Sequence, residues 1–168
     1  MTTTTPLEQI LNLTRTLGQP QNEYVIVGEG NTSYRIDADT FLIKASGQGM
    51  SSIDASGFVA VRFEPILALF EQQTADRAAL QQAMIDAKVD ASTPGRPSVE
   101  VTFHAMLLHG CNVKVIAHTH PVAVNSLLCS TRANLPTIAY SPMKQCCAAA
   151  LGVRALRRSR LTAGRRYP

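Results

Sequence analysis

No run of about eighteen uncharged apolar residues occurs in this 168-residue chain, so nothing in it reads as a membrane-spanning helix. Met1 to Pro6 is polar and places no basic stretch ahead of an apolar one, which argues against a secretory leader and leads us to expect a cytoplasmic protein. The four cysteines (Cys111, Cys129, Cys146 and Cys147) show no CxxC spacing, and two adjacent cysteines make a poor start for a disulfide framework. Buried reduced thiols are expected instead. Acidic residues are absent after residue 150, where six of the sixteen Lys and Arg side chains lie; residues 1–150 hold ten basic and twelve acidic groups. The net charge of +4 therefore belongs to the tail, and the body offers no electrostatic case for nucleic acid as a main partner.

What is present suits one globular domain, since 45% hydrophobic content over this length supports a real core. Thr5-Pro6-Leu7-Glu8 reads as a helix start, with Thr5 as cap, Pro6 at the first helical position and Glu8 closing a capping box. Leu7, Ile10, Leu11, Thr14 and Leu17 continue it at helical spacing until Gly18. Residues 33–36 and 40–44 flank Asp37-Ala38-Asp39 and predict a hairpin; residues 57–63 predict a further strand. Glu64-Pro65 opens a helix to about Gln73, a second helical stretch covers 76–87, and 90–97 is a loop by composition. Residues 98–109 predict a helix with Val99, Phe103, Met106 and Leu107 on its apolar face and Gly110 as its stop. Val113 to Ala117 reads as a short buried strand and 122–129 as a helix, which together give a layered α/β domain.

Three features carry chemistry. Residues two apart on an extended segment point the same way, so His118 and His120 can present both imidazoles to one point, as metal ligands do. The bland reading of the same pair has one ring facing solvent and the other bonding locally. Glu100, at the start of the preceding helix, can fold back beside that point as a general acid or base, or can simply be an acid favoured by the helix dipole. Glycine-rich turns at 28–33 and 45–49 expose backbone N–H groups that, with the hydroxyls of Ser46 and Ser98, suit a phosphate; hairpin ends also favour such residues.

In order and spacing, Gly30-Asn31-Thr32-Ser33, Ser46-Gly47, Ser98-Val99-Glu100 and His118-Thr119-His120-Pro121 resemble the class II aldolase/adducin family over roughly residues 5–142. The resemblance implies a three-layer α/β/α domain with a central mixed sheet, here without its C-terminal elements. It implies zinc (Zn2+) on His118 and His120, Glu100 as catalytic acid/base, and Gly30, Asn31, Ser46, Gly47 and Ser98 around the phosphate of a sugar phosphate. It further implies zinc-assisted retro-aldol cleavage or related enediolate chemistry, and a homo-oligomer. His104, one helical turn after Glu100, falls where the family often has a histidine and is given a supporting or packing role.

The family takes a third zinc histidine from a later strand, and this chain has no histidine after His120. His104 and His109 lie on a helix ahead of the site and do not replace it; Cys146 or Cys147 would be an unorthodox substitute. Residues 144–168 turn arginine-rich and acid-free, so the expected division is an incomplete family domain at 1–143 and a basic tail at 144–168 left by a frameshift or truncation. A basic terminal helix is the rival reading of that tail. The rival function is a non-catalytic, adducin-like binding module. A zinc isopeptidase is set aside, because Ser126 and Ser130 are followed three residues on by Cys129 and Ala133 rather than by aspartate.

Overall fold

The computed structural model describes residues 4–26, 29–71, 76–111 and 113–129. The tail at 144–168, Cys146, Cys147 and the end of the helix expected to reach Gln73 lie outside the described residues. The first helix, α1 (Pro6–Leu17), starts as its sequence dictates: the Thr5 hydroxyl accepts from the Glu8 N–H, and the Glu8 carboxylate accepts from the Thr5 N–H at 2.7 Å.

Strands β1 (Asn31–Arg35) and β2 (Thr40–Lys44) form the expected hairpin. Asp37 closes the turn by accepting from the N–H groups of Asp39 and Thr40, the local bonding that favours aspartate in turns. After β3 (Phe58–Arg62) come α2 (Phe63–Glu71), α3 (Arg77–Asp86) and α4 (Val101–Gly110), then β4 (Val115–His118) and α5 (Val122–Leu128). Among these residues no helix is long and apolar enough to cross a membrane.

The sheet order is β3-β2-β1-β4. Side-chain alternation along its strands divides the core into two. Leu42, Tyr34 and Phe58 pack with Ile10, Leu7 and Leu11 of α1 on one face. Phe41, Ile43, Val59 and Val61 pack on the other face with Ile66 of α2, Met84 of α3, and Val101, Ala105 and Leu108 of α4. The three-layer α/β/α arrangement is thus present. The mixed character expected of the sheet is not: all three pairings among the described residues are antiparallel. The short turn at Asp37–Asp39 can join only antiparallel strands, and β4 re-enters beside β1 with His118 opposite Asn31.

The helix expected from Ser98 begins later, at Val101, and buries a different stripe. Ser98 continues the sheet edge instead, its N–H donating to the Lys44 carbonyl at 3.2 Å next to an Ala45–Pro97 bridge. Val99, expected on the apolar face, is 64% exposed, while Val101, His104, Ala105 and Leu108 are fully buried. Strand β4 is half-exposed rather than buried. Cys129 is an exposed free thiol rather than the buried one expected.

Candidate metal centre

Three elements bring Glu100, His118 and His120 to one point. Glu100 sits at the N-cap of α4, where the sheet-edge bond of Ser98 and the bond from its own N–H to Ser98 Oγ (3.3 Å) fix its backbone. His118 ends β4, on the face of the sheet that carries Asn31 and α4. His120 lies two residues on, held by its N–H to the Tyr24 carbonyl at 2.9 Å. The two imidazole rings are 4.6 Å apart between centroids, and one ligand atom from each histidine and from Glu100 all lie within 4.8 Å of one another. The shared point that period-two spacing offered to the histidines is therefore built, with a carboxylate as third donor. Two imidazoles and a carboxylate, each half-buried, are a donor set that fits a divalent metal ion and leaves room for a further ligand.

Glu100 Oε2 accepts from His118 Nδ1 at 2.9 Å, and His118 is braced edge-on by the Phe103 ring at 5.3 Å. Burial pushes the Glu100 carboxyl up, but hydrogen bonds from Asn31 and His118, with the charge of His118, outweigh it and hold the group below the ordinary glutamate value. Glu100 is consequently ionised at neutral pH, in the state of a base or a ligand rather than of an acid.

Asn31 lies behind Glu100. Its amide nitrogen donates to Glu100 Oε2 and to Ser98 Oγ, the latter at 3.0 Å, while its Oδ1 meets His104 Nε2. His104 is fully buried, and its Nδ1 lies 2.6 Å from Ser33 Oγ. Burial pushes this histidine down to about 3, with the neighbouring His118 lowering it further and Glu100 opposing. Lys44 was not singled out from sequence. It is buried, which lowers its ammonium, and the negative charge of Glu100 offsets part of that effect. Its one sequence signal is a lysine closing an otherwise apolar strand beside the Ser46-Gly47 turn.

The expected phosphate residues are dispersed around this centre. Gly30, at φ +100°, abuts the turn after β4: a Cβ there would lie 2.7 Å from the His118 carbonyl oxygen. Ser98 is buried, and its hydroxyl oxygen accepts from both Asn31 and the Glu100 N–H. Ser46 spends its own N–H on the Arg96 carbonyl and lines a separate cavity of about 310 Å³ with Arg77, Lys88, Arg96 and Val99; none of Glu100, His118 and His120 lines that cavity. Gly47 is exposed at φ +80° with open space around it.

The family described as Class II Aldolase and Adducin N-terminal domain matches residues 8–161. The chain belongs to this family. A comparison with curated proteins gives no match. Among solved structures it is similar to the N-terminal class II aldolase domain of a conserved protein from Thermoplasma acidophilum, with a TM-score of 0.67 and 25% identity, over 82% of this chain and 63% of that one. It is similar also to YgbL, a candidate aldolase/epimerase/decarboxylase, from Klebsiella pneumoniae (TM-score 0.52, 20% identity, 77% of this chain and 52% of that one) and from Escherichia coli (0.52, 17%, 74% and 48%). This class II aldolase-like chain thus spans about half to two thirds of the length of those structures.

Proposed function

We propose that this class II aldolase-like domain carries a zinc site on His118, His120 and Glu100, and that it serves retro-aldol cleavage or related enediolate chemistry on a sugar phosphate. The observation that carries the reading is the convergence of two imidazoles and an ionised carboxylate within 4.8 Å. A bound zinc ion supplies Lewis acidity, polarising the oxygens of a carbonyl substrate.

The remaining chemistry belongs to the chain itself. Glu100, held ionised, takes the proton that the substrate hydroxyl must lose before the carbon–carbon bond breaks, and returns it to the carbanionic carbon afterwards. His118 steadies Glu100 through its Nδ1. The hydroxyl of Ser46 and the N–H of Gly47, on an exposed turn, are offered to the phosphate, with Gly30, Asn31 and Ser98 as the rest of the cradle that the family pattern implies. A panel of ketose phosphates, assayed for aldehyde release with the zinc-loaded full chain, tests the proposal. Cleavage of at least one member, abolished by Glu100→Ala, supports it. Folded, zinc-loaded protein inert toward the whole panel points instead to the binding-module reading.

A further inference from the structure

We infer that the cavity between α3 and the segment 88–99 is a second ligand site, separate from the metal centre, and that it takes a small amphipathic anion of the medium-chain carboxylate class.

The cavity has a volume of about 310 Å³, at the lower end of the range of about 300–1,000 Å³ usual for small-molecule sites. Its charge is of one sign. Arg77, Lys88 and Arg96 line it, and among the described residues no Asp or Glu does. Three cations without an acid concentrate anions in a cleft. The wall beside them is apolar: Leu80, Met84 and Ile85 of α3, with Val99. Ile85 and Val99 are 56% and 64% exposed, so an aliphatic chain seated here removes apolar surface from water. An inorganic anion leaves that wall wet, and a neutral hydrocarbon leaves the cations without a counter-charge. One ligand that carries both a negative head and an apolar body satisfies both.

The chain holds the three cations in place by separate means. Arg77 is the first residue of α3, whose N-cap Asp76 accepts from the N–H groups of Ala78 and Ala79 at 3.1 and 3.4 Å. Lys88 is tied to the sheet by its bridge to Val61, and its ammonium donates to the carbonyls of Ala91 and Thr93, which are neutral acceptors. The acids flanking Lys88 are engaged elsewhere: Asp86 accepts from Gln82 Nε2 at 2.8 Å, and Asp90 from the N–H and hydroxyl of Ser92 at 2.8 and 2.6 Å. Arg96 follows Gly95, whose φ of +87° turns the chain back toward Ala45. Its carbonyl then accepts from the Ser46 N–H at 2.9 Å, and Pro97 bridges to Ala45.

The cavity shares only Ser46 with the phosphate cradle that the family pattern implies. The Ser98 hydroxyl, one residue beyond Pro97, is engaged by Asn31 and the Glu100 N–H at the metal centre and does not line the cavity.

Isothermal titration of octanoate into the purified full chain tests the inference, with butanoate, octan-1-ol and inorganic phosphate as comparison ligands. Octanoate is expected to bind at least about tenfold more tightly than butanoate, since each buried CH2 is worth roughly fourfold. It is expected to exceed octan-1-ol by about tenfold as well, through the cations. Arg77→Glu, Arg96→Glu and Ile85→Asp, all at exposed positions, should each weaken octanoate about tenfold, the first two by reversing charge and the third by wetting the wall. Lys114→Glu changes net charge equally but does not line the cavity, and should stay within about twofold. Because the six arginines after residue 150 are unchanged in all four variants, octanoate held by the tail would bind all of them equally. That result overturns the inference. So does a wild type that binds no octanoate, or binds octan-1-ol or butanoate as tightly, or loses as much affinity in Lys114→Glu as in Arg96→Glu. Inorganic phosphate that displaces octanoate at equal concentration assigns the cavity to the phosphate cradle and overturns it too.

Discussion

His118 Nδ1 lies 2.9 Å from Glu100 Oε2, joining the end of β4 to the N-cap of α4. Eighteen residues separate the two in sequence, and neither is fully buried: their side chains are 27% and 34% exposed. At such exposure the pair contributes little to folding by itself. Its consequence is geometric, since it aims a carboxylate at the point that His118 and His120 share.

Glu100→Gln keeps the shape and still accepts from His118 Nδ1, but removes the negative charge. Zinc affinity, measured by competition with a chelating dye, should fall by roughly 10–100-fold. Stability in urea at neutral pH should change by less than about 1 kcal/mol, because the lost charge is partly solvated.

Gly30→Ala and Gly47→Ala should separate strain from collision. Both positions have positive φ, at +100° and +80°, but only Gly30 faces backbone, the His118 carbonyl oxygen. Urea unfolding should show a loss of about 1–2 kcal/mol for Gly47→Ala, from strain alone. Gly30→Ala should cost clearly more, and should weaken zinc binding too, because the displaced carbonyl belongs to His118, a proposed zinc ligand.

Stability should fall as pH drops below about 6.5. His104 binds its proton near pH 6.5 in the unfolded chain but only at about 3 in the fold, so the unfolded state holds more protons throughout that window. Protonation in that window therefore favours unfolding. The expected contribution is about 1.4 kcal/mol per pH unit, full above pH 6.5 and lost on acidification toward 3. Between pH 6.5 and 4.5 the slope of urea stability should lose about one proton's worth in His104→Phe. Below pH 4.5 the lowered carboxyls of Glu8, Asp37, Asp54, Asp90 and Glu100 add their own loss on acidification.

Local signals were legible where local physics decides the outcome. Thr5, Pro6 and Glu8 specify the start of α1, and Asp37 specifies the hairpin turn, through bonds that span three residues or fewer. The meeting of His118 with His120 follows from strand periodicity, and the family order of motifs put Glu100 beside them. What stayed illegible depends on partners distant in sequence. The pairing of Ser98 with Lys44 delays α4 to Val101, which rotates the buried stripe and carries His104 into the core. A reading that starts the helix at Ser98 puts Val99 on the apolar face, where the fold leaves it 64% exposed. Lys44 is hidden for the same reason, because nothing within its own strand announces that the chain at 97–98 will cover it.

Zinc content tests the central claim most directly. The full chain, purified, exposed to excess zinc and dialysed, should retain one zinc per chain by elemental analysis, and His118→Ala should retain almost none while staying folded by circular dichroism. Folded wild-type protein that holds no zinc, or a His118→Ala variant that holds as much as wild type, would contradict a metal centre on Glu100, His118 and His120.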